Sequence, residues 1–215
     1  IFVGKEQAKS AGNSLKNAGY SFNVAFTSVL KRAEETLEII LNQLQQSQST
    51  QVFKTWRLNE RHLGAFIGLS RLELQNESQR EKYAFFLTIK REPSSCDAHS
   101  FLIPKIISTQ ELPPPLERGH HLYEEIVNSR VYQETSDKKD IPNGESYQSM
   151  ERTIQYWVEN IVPQIKAGMK VLIVGHKVNL SGLLMHLEGS LSVNPFTAIS
   201  YDIHNGNPEV MVAHL

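Results

Sequence analysis

The segment that most limits what this chain can fold into is residues 170–175, which read Lys-Val-Leu-Ile-Val-Gly and precede His176. A continuous apolar run of this kind is typical of a parallel strand that is buried on both faces. A helix is predicted directly after it, over residues 180–187. A buried strand followed at once by a helix indicates an α/β fold with a mostly parallel sheet.

Helices and strands alternate along the remaining sequence, as this fold requires. We predict a helix over residues 5–18 that ends at Gly19, because glycine readily takes the left-handed conformation that ends helices. Apolar residues recur at helical spacing between Val29 and Leu44, after the N-capping residue types Thr27 and Ser28. The other predicted elements are strands over 22–26, 51–58, 197–204 and 209–215, a helix over 81–91, and a helix from Tyr147 that ends at Gly168.

The composition is that of an ordinary globular protein. Its 215 residues are 40% hydrophobic, which favours a single domain over 1–215 with its own core. The formal net charge is -1, so an anion site must come from a few arginines that converge locally. Cys96 is the one cysteine and cannot form an internal disulfide. A single cysteine gives no disulfide framework, so we expect a cytoplasmic protein in a reducing compartment. No apolar stretch approaches the roughly 20 residues that span a bilayer.

Polar side chains that suit phosphate chemistry occur just after the predicted strands. His176 either serves a ligand by hydrogen bonding and proton exchange or is a strand-end histidine satisfied by backbone. Arg32 lies about one turn into its helix and is either within reach of a phosphate at the strand end or a solvated arginine, which taken alone is the favoured interpretation. Glu60 is a candidate general acid or base and Arg61 a candidate anion clamp, and the alternative for both is a polar turn. We expect Arg32, Glu60 and His176 to line one pocket for an anionic ester.

These residues fall within a longer series of segments that resembles the phosphoglycerate mutases that depend on 2,3-bisphosphoglycerate. The segments are 27–33, 58–69, 113–115, 120–132, 145–146, 157–168, 171–176 and 186–189. The run Leu-Asn-Glu-Arg-His at the start of 58–69 is particularly distinctive of that family. All the matches fall in the expected order, from about Gly4 to about Gly189.

The resemblance implies a three-layer α/β/α fold and the interconversion of 2-phosphoglycerate and 3-phosphoglycerate in glycolysis through a phosphohistidine. The implied phosphoryl donor is 2,3-bisphosphoglycerate, without a metal, and the implied assembly is a homodimer in the cytoplasm. Glu60 and His176 are the implied catalytic residues: Glu60 donates and accepts protons, and His176 stabilises the transferring group. The implied substrate-binding residues are Arg32, Arg61, Arg71, Lys90, Arg91 and, as a compensating charge, Lys177.

The sequence departs from the family pattern at four places. It contains no Arg-His-Gly tripeptide, and we expect the family's first strand and nucleophilic histidine to lie upstream of this sequence. Lys177-Val178-Asn179 replaces Gly-Asn-Ser, which is expected to crowd the phosphate. Leu63 replaces a tyrosine. Residues 94–110 have no counterpart, so the region 93–115 is an insertion, an irregular lid or an imperfect gene model.

Three functional interpretations stay open at this point. The first is an active phosphoglycerate mutase, which the sequence does not separate from a bisphosphoglycerate mutase or phosphatase. The second is a non-catalytic relative that binds an anion or a partner through the same cleft, and the missing first strand and the altered loop after His176 favour it. The third is an anion-binding α/β domain outside the family.

Overall fold

Three parallel strands form the sheet in the computed structural model, which describes residues 2–68, 113, 115–129, 144–145 and 151–187. The strands are β1 (Val24–Thr27), β2 (Gln51–Lys54) and β3 (Val171–Val174), in the order β2-β1-β3. The helices are α1 (Phe2–Asn17), α2 (Lys31–Leu44), α3 (Tyr123–Val127), α4 (Glu151–Tyr156), α5 (Val162–Lys166) and α6 (Lys177–Leu187). No helix in these ranges is long and apolar enough to cross a membrane.

The strands are in register, so their carboxyl ends meet at one edge of the sheet. Val24 is paired with Gln51 on one side and Val171 on the other, and Thr27 is paired with Lys54 and Val174. The predicted second strand is shorter than expected. It ends at Lys54 because Thr55 caps a 3-10 turn over Trp56–Leu58, its side chain accepting a hydrogen bond from the Arg57 N–H at 3.2 Å.

Helices cover both faces of the sheet. Successive side chains of a strand point to opposite faces, and β1 divides its residues in this way. Ala25 packs with residues of α1 and α2, whereas Val24 and Phe26 pack with the helices that flank β3. The first core cluster is Ala11, Leu15, Ala25, Leu37, Ile40, Leu41 and Val174, and the second is Val24, Phe26, Leu58, Trp157, Ile161 and Leu183. The predicted three-layer α/β/α arrangement with a parallel sheet is confirmed.

A π-helical segment over Trp157–Ile161 joins α4 to α5. Pro163 has no N–H, and its ring crowds the carbonyl four residues earlier, so the regular hydrogen-bond ladder cannot pass through it. The Val162 N–H instead bonds the carbonyl of Trp157, five residues back. Trp157 and Ile161 are buried as predicted, but Val158 is 52% exposed, because the wider turn rotates it away from the predicted apolar stripe.

The start of α2 differs from the prediction. Thr27 and Ser28 do not cap the helix, whose N-cap is Leu30, without a side-chain hydrogen bond. Thr27 is still in the strand, and its hydroxyl donates to the carbonyl of Val174 at 2.9 Å. Ser28 is fully buried and bonds His176. The two hydroxyls therefore tie β1 to β3 and to the residue after it.

The end of α2 gives a test of backbone strain. Gln45 closes the helix at φ 60° and ψ 33°, a left-handed conformation that side chains disfavour. We expect Gln45→Gly to raise the free energy of unfolding by about 0.5–1 kcal/mol. The matched control is Glu38→Gly at an exposed position inside α2, which should lower it by about 1 kcal/mol. Equal losses in urea unfolding would contradict the assignment of strain.

Some predictions lie outside the described residues. They are the helix over 81–91, the strands over 197–204 and 209–215, and, apart from residues 113 and 115, the region 93–115. The other predicted elements agree with the structure in type, and their ends are shifted by a few residues. The predicted helix stop at Gly19 is one of the accurate ends: Gly19 has φ 77°, and the N–H of Tyr20 bonds the carbonyl of Leu15 at 3.0 Å.

Candidate anion site at the carboxyl edge of the sheet

The loops that follow the three strands meet at the carboxyl edge of the sheet. The loop after β1 leads to Arg32, the loop after β2 carries Glu60 and Arg61, and His176 lies directly before α6. In open parallel sheets this edge is where ligands bind, beside helix N-termini that favour anions. The structure therefore brings together Arg32, Glu60 and His176, which the sequence places 28 to 144 residues apart.

The ring of His176 is held from both sides. Nε2 lies 2.8 Å from the Ser28 hydroxyl, and Nδ1 accepts a hydrogen bond from the Nε–H of Arg32 at 3.3 Å. A guanidinium can only donate, so Nδ1 carries no proton and the neutral ring holds its proton on Nε2. Nε2 then donates to Ser28, which also accepts the N–H of Leu30 at 3.3 Å. The two contacts select one neutral tautomer.

Electrostatics favour the same state of His176. The residue is 6% exposed, and this burial, followed by the positive charges of Arg32 and Arg152, lowers its pKa from 6.5 to about 3. At neutral pH the ring is therefore uncharged. A neutral imidazole places no second positive charge against Arg32, so among the described residues of the site the positive charge comes from arginines.

Glu60 has the opposite shift. Burial raises the pKa of its carboxyl above 4.5, even though the N–H of Arg61 and the charges of Arg32, Arg61 and Arg152 act to lower it. The hydrogen bond from the Arg61 N–H to Oε1 is 3.0 Å long. A carboxyl group whose pKa is raised toward neutrality is suited to give and take a proton. The charge of Arg32 acts on both Glu60 and His176, which is consistent with a shared cleft.

A buried ion pair supports the loop that carries Glu60. Arg152 donates to both carboxylate oxygens of Glu145, at 2.5 Å and 2.9 Å, and the two side chains are only 10% and 2% exposed. Glu145 also accepts the N–H of His62 at 2.8 Å. Arg152 donates further to the carbonyls of Trp56, Arg57 and Asn59. The pair thus fixes the chain on both sides of Glu60.

Sequence reasoning does not identify the residues of this support. It assigns Ser28 to a helix cap and gives Arg152 and Asn179 no role. Asn59 and Glu145 are placed only within segments that resemble the phosphoglycerate mutases. The sequence offers no signal for Arg152, because its contacts lie up to 96 residues away and follow no periodic pattern. For Asn59 a signal is present: a polar residue between the apolar Leu58 and a charged pair is not required by packing.

The remaining predicted site residues divide into two groups. Arg61 is partly buried in the same loop as Glu60, and Leu63, which stands where the resembling family has a tyrosine, is 37% exposed. Arg71, Lys90 and Arg91 lie outside the described residues, as does the side chain of Lys177 at the start of α6. The predicted crowding of a phosphate by Lys177 and Val178 is therefore still a prediction.

The chemistry available at this edge is anion binding coupled to proton transfer. Arg32 is exposed, and beyond the Nε–H used by His176 its two terminal nitrogens carry four more N–H donors in a fork that matches phosphate oxygens. Glu60 supplies a titratable carboxyl beside this cation. Within the described ranges, no group of three or more His, Cys, Asp or Glu residues is placed to hold a metal ion.

Comparisons with known proteins agree with this geometry. Residues 3–98 match the family model of the histidine phosphatase superfamily (branch 1). Solved structures of similar fold include an Escherichia coli protein described as an alpha-ribazole-5'-P phosphatase (20% identity, 86% of this chain and 64% of that one, TM-score 0.52). A second is a Bacillus anthracis phosphoglycerate mutase, with 18% identity over 88% of this chain and 69% of that one and a TM-score of 0.52. A third is a mycobacterial glucosyl-3-phosphoglycerate phosphatase solved with inorganic phosphate, with 17% identity over 87% of this chain and 68% of that one and a TM-score of 0.51.

These identities are low enough that the likeness to the three structures shows the fold alone. The chain also spans less than two thirds of the length of the Escherichia coli protein, 64%. The match to the family model thus covers less than half of this chain, and the solved structures show that its fold is shared with proteins described as phosphatases and as a phosphoglycerate mutase.

Proposed function

We propose that this chain binds the phosphate ester of a small three-carbon acid at the carboxyl edge of its sheet, as the ester-binding part of a phosphoglycerate mutase that uses 2,3-bisphosphoglycerate. The observation that carries the proposal is the junction of Arg32 with His176, at 3.3 Å, beside the partly buried carboxyl of Glu60. Two structural neighbours described as acting in phosphoglycerate chemistry support the same class of substrate.

The roles of the residues follow from their chemistry. Arg32 and Arg61 bind phosphoryl and carboxylate oxygens, and Arg71, Lys90, Arg91 and Lys177 are proposed to contact the rest of the anionic substrate. Glu60 exchanges a proton with the hydroxyl or ester oxygen, and His176 donates a hydrogen bond to the transferring group from its neutral ring. That donation requires Nε2–H to turn from Ser28 toward the ligand. The donor 2,3-bisphosphoglycerate supplies the phosphoryl group when bound.

The experiment is a calorimetric titration of the full chain with inorganic phosphate and, separately, with 3-phosphoglycerate. We expect Arg32→Ala to weaken binding by roughly 10-fold to 100-fold, because a hydrogen bond to a charged group contributes about 1.5–3 kcal/mol. Arg57→Ala is the matched control, since its side chain pairs with Glu159 at the surface. Absence of binding to the unchanged chain, or equal binding by both variants, would refute the proposal.

A second candidate is a non-catalytic anion-binding protein in the cytoplasm, because both ring nitrogens of His176 already have protein partners, Ser28 and Arg32. Mixing the chain with 2,3-bisphosphoglycerate separates the two. A mutase forms an acid-labile phosphohistidine and converts 3-phosphoglycerate, whereas a binding protein shows the calorimetric signal without either. A bisphosphoglycerate mutase or phosphatase would be recognised by its products, 2,3-bisphosphoglycerate or inorganic phosphate. Analytical ultracentrifugation tests the proposed homodimer.

A further inference from the structure

Asn59 lies in the loop between Leu58 and Glu60 and accepts hydrogen bonds from three segments that are distant in sequence. Its side-chain Oδ1 accepts the N–H of Val29 at 3.2 Å. Its main-chain carbonyl accepts Nδ2 of Asn179 and Nη2 of Arg152, the latter at 2.9 Å. The residue is 9% exposed, so these bonds form away from solvent, where an unmade bond is costly.

The partners of Asn59 belong to the other two loops of the candidate site. Val29 follows Ser28 and begins the passage from β1 to Arg32. Asn179 lies in the first turn of α6, three residues after His176, and is 1% exposed. Asn59 itself directly precedes Glu60. One residue thus connects the chain segments that carry the cation, the carboxyl group and the imidazole.

Hydrogen bonds also fix the orientation of the Asn179 side-chain amide. Nδ2 of Asn179 donates to the carbonyl of Asn59 and to the hydroxyl of Thr153, at 3.3 Å for the latter. The Thr153 hydroxyl donates onward to the carbonyl of Arg57 at 2.8 Å. An amide nitrogen donates two hydrogen bonds, so both donors are used and the orientation of the amide is determined. Rotation of Asn179 away from Asn59 would leave its own buried amide N–H groups without partners.

We propose that Asn59 is a positioning residue, which sets the spacing of Arg32, Glu60 and His176. Its side chain joins the loop after β2 to the loop after β1, and its main-chain carbonyl joins the same loop to α6, so Asn59→Ala removes the first connection and Asn179→Ala the second. Its side chain does not touch the ligand. It acts through Val29, Asn179 and the adjacent Glu60. The inference rests on the proposed function for its consequence in ligand binding, but the positioning itself is a property of the unliganded chain and is measurable without substrate.

The test compares Asn59→Ala with Asn160→Ala in the full chain. Asn160 is an exposed asparagine whose side chain makes only a local contact to the carbonyl of Tyr156 at 3.4 Å. The readouts are the NMR titrations of the His176 ring and the Glu60 carboxyl, with phosphate affinity as a third. Asparagine and alanine are both uncharged, so a change in either pKa reports a change in burial or spacing and not an added charge.

We expect Asn59→Ala to raise the pKa of His176 toward 6.5 and to lower that of Glu60 toward 4.5, because both shifts come first from burial. Phosphate binding should weaken by about tenfold, the low end of the roughly 10-fold to 100-fold expected for Arg32→Ala, because Arg32 is displaced and not removed. Asn160→Ala should leave all three values unchanged.

A merely structural role for Asn59 gives a different result: a lower melting temperature with both titrations and the phosphate affinity unchanged, which would overturn the inference. If Asn59→Ala does not fold, Asn179→Ala carries the same comparison, because it removes one of the connecting bonds and leaves the amide of Asn59 in place. If the unchanged chain does not bind phosphate, the proposed function fails, while the two titrations still decide whether Asn59 positions the site.

Discussion

Arg152→Met is expected to lower the free energy of unfolding by about 3–5 kcal/mol, because it leaves the carboxylate of Glu145 buried without its cation. Glu145 is 2% exposed and Arg152 10%, so water cannot replace the lost partner. The substitution also removes the donors to the carbonyls of Trp56, Arg57 and Asn59. The melting temperature should fall by roughly 10 °C, at about 2–4 °C per kcal/mol for a domain of this size.

Two further variants make the measurement specific. Arg57→Met removes an exposed pair with Glu159, whose side chains are 35% and 49% exposed, and should cost less than about 1 kcal/mol. The double variant Arg152→Met with Glu145→Gln should recover much of the loss, because it removes the unpaired charge as well. Urea unfolding of the unchanged chain, the two single variants and the double variant measures these differences in free energy. A single Arg152→Met variant as stable as Arg57→Met would show that the pair is not a buried charge.

The second large effect is a pH dependence of stability caused by His176. Its pKa is about 3 in the folded chain and 6.5 when unfolded, so between these values the unfolded chain binds one more proton. Stability from this residue is therefore fully present above pH 6.5 and is lost as the pH falls toward 3. The expected slope is about 1.4 kcal/mol per pH unit across that window.

Glu60 acts in the opposite sense. Its pKa is raised in the folded chain, so the folded state holds a proton that the unfolded state releases above 4.5. The contribution of Glu60 to stability therefore falls as the pH rises from there.

The difference in stability between the unchanged chain and His176→Gln isolates the contribution of the histidine. We expect the variant to lose stability relative to wild type most at neutral pH, and the difference to shrink toward pH 3. A pH-independent difference in urea unfolding would contradict a neutral buried His176.

The sheet and its edge are predictable from sequence for a simple reason. Runs such as Val171–Val174 are apolar enough to require burial on both faces, and residues after parallel strands must share one edge. That reasoning alone is enough to predict that Arg32, Glu60 and His176 lie near each other. Strand ends are less accurate, because Thr55 ends β2 with a side-chain cap whose strength the local sequence does not reveal.

What the sequence does not predict is the set of contacts between distant segments. Ser28 has the residue type of a helix N-cap, but the tertiary bond to His176 outweighs that local preference, and the helix starts later. The π-helical turn ahead of Pro163 is a second example. A regular helical period continued through this turn predicts that Val158 is buried, and that prediction is wrong. Both errors arise where a tertiary or covalent constraint replaces a local propensity.

The pairing of Val24 with Val171 joins parts of the chain that synthesis produces far apart in time. A ribosome must complete almost the whole described chain before β3 can dock against β1, and the intervening loop must close first. Such long-range pairing slows folding, because closure entropy is lost before any contact compensates for it. A nascent chain therefore holds Arg32 and Glu60 for many residues of elongation before His176 exists. The proposed phosphate affinity is then expected to appear abruptly, as a late marker of completed folding.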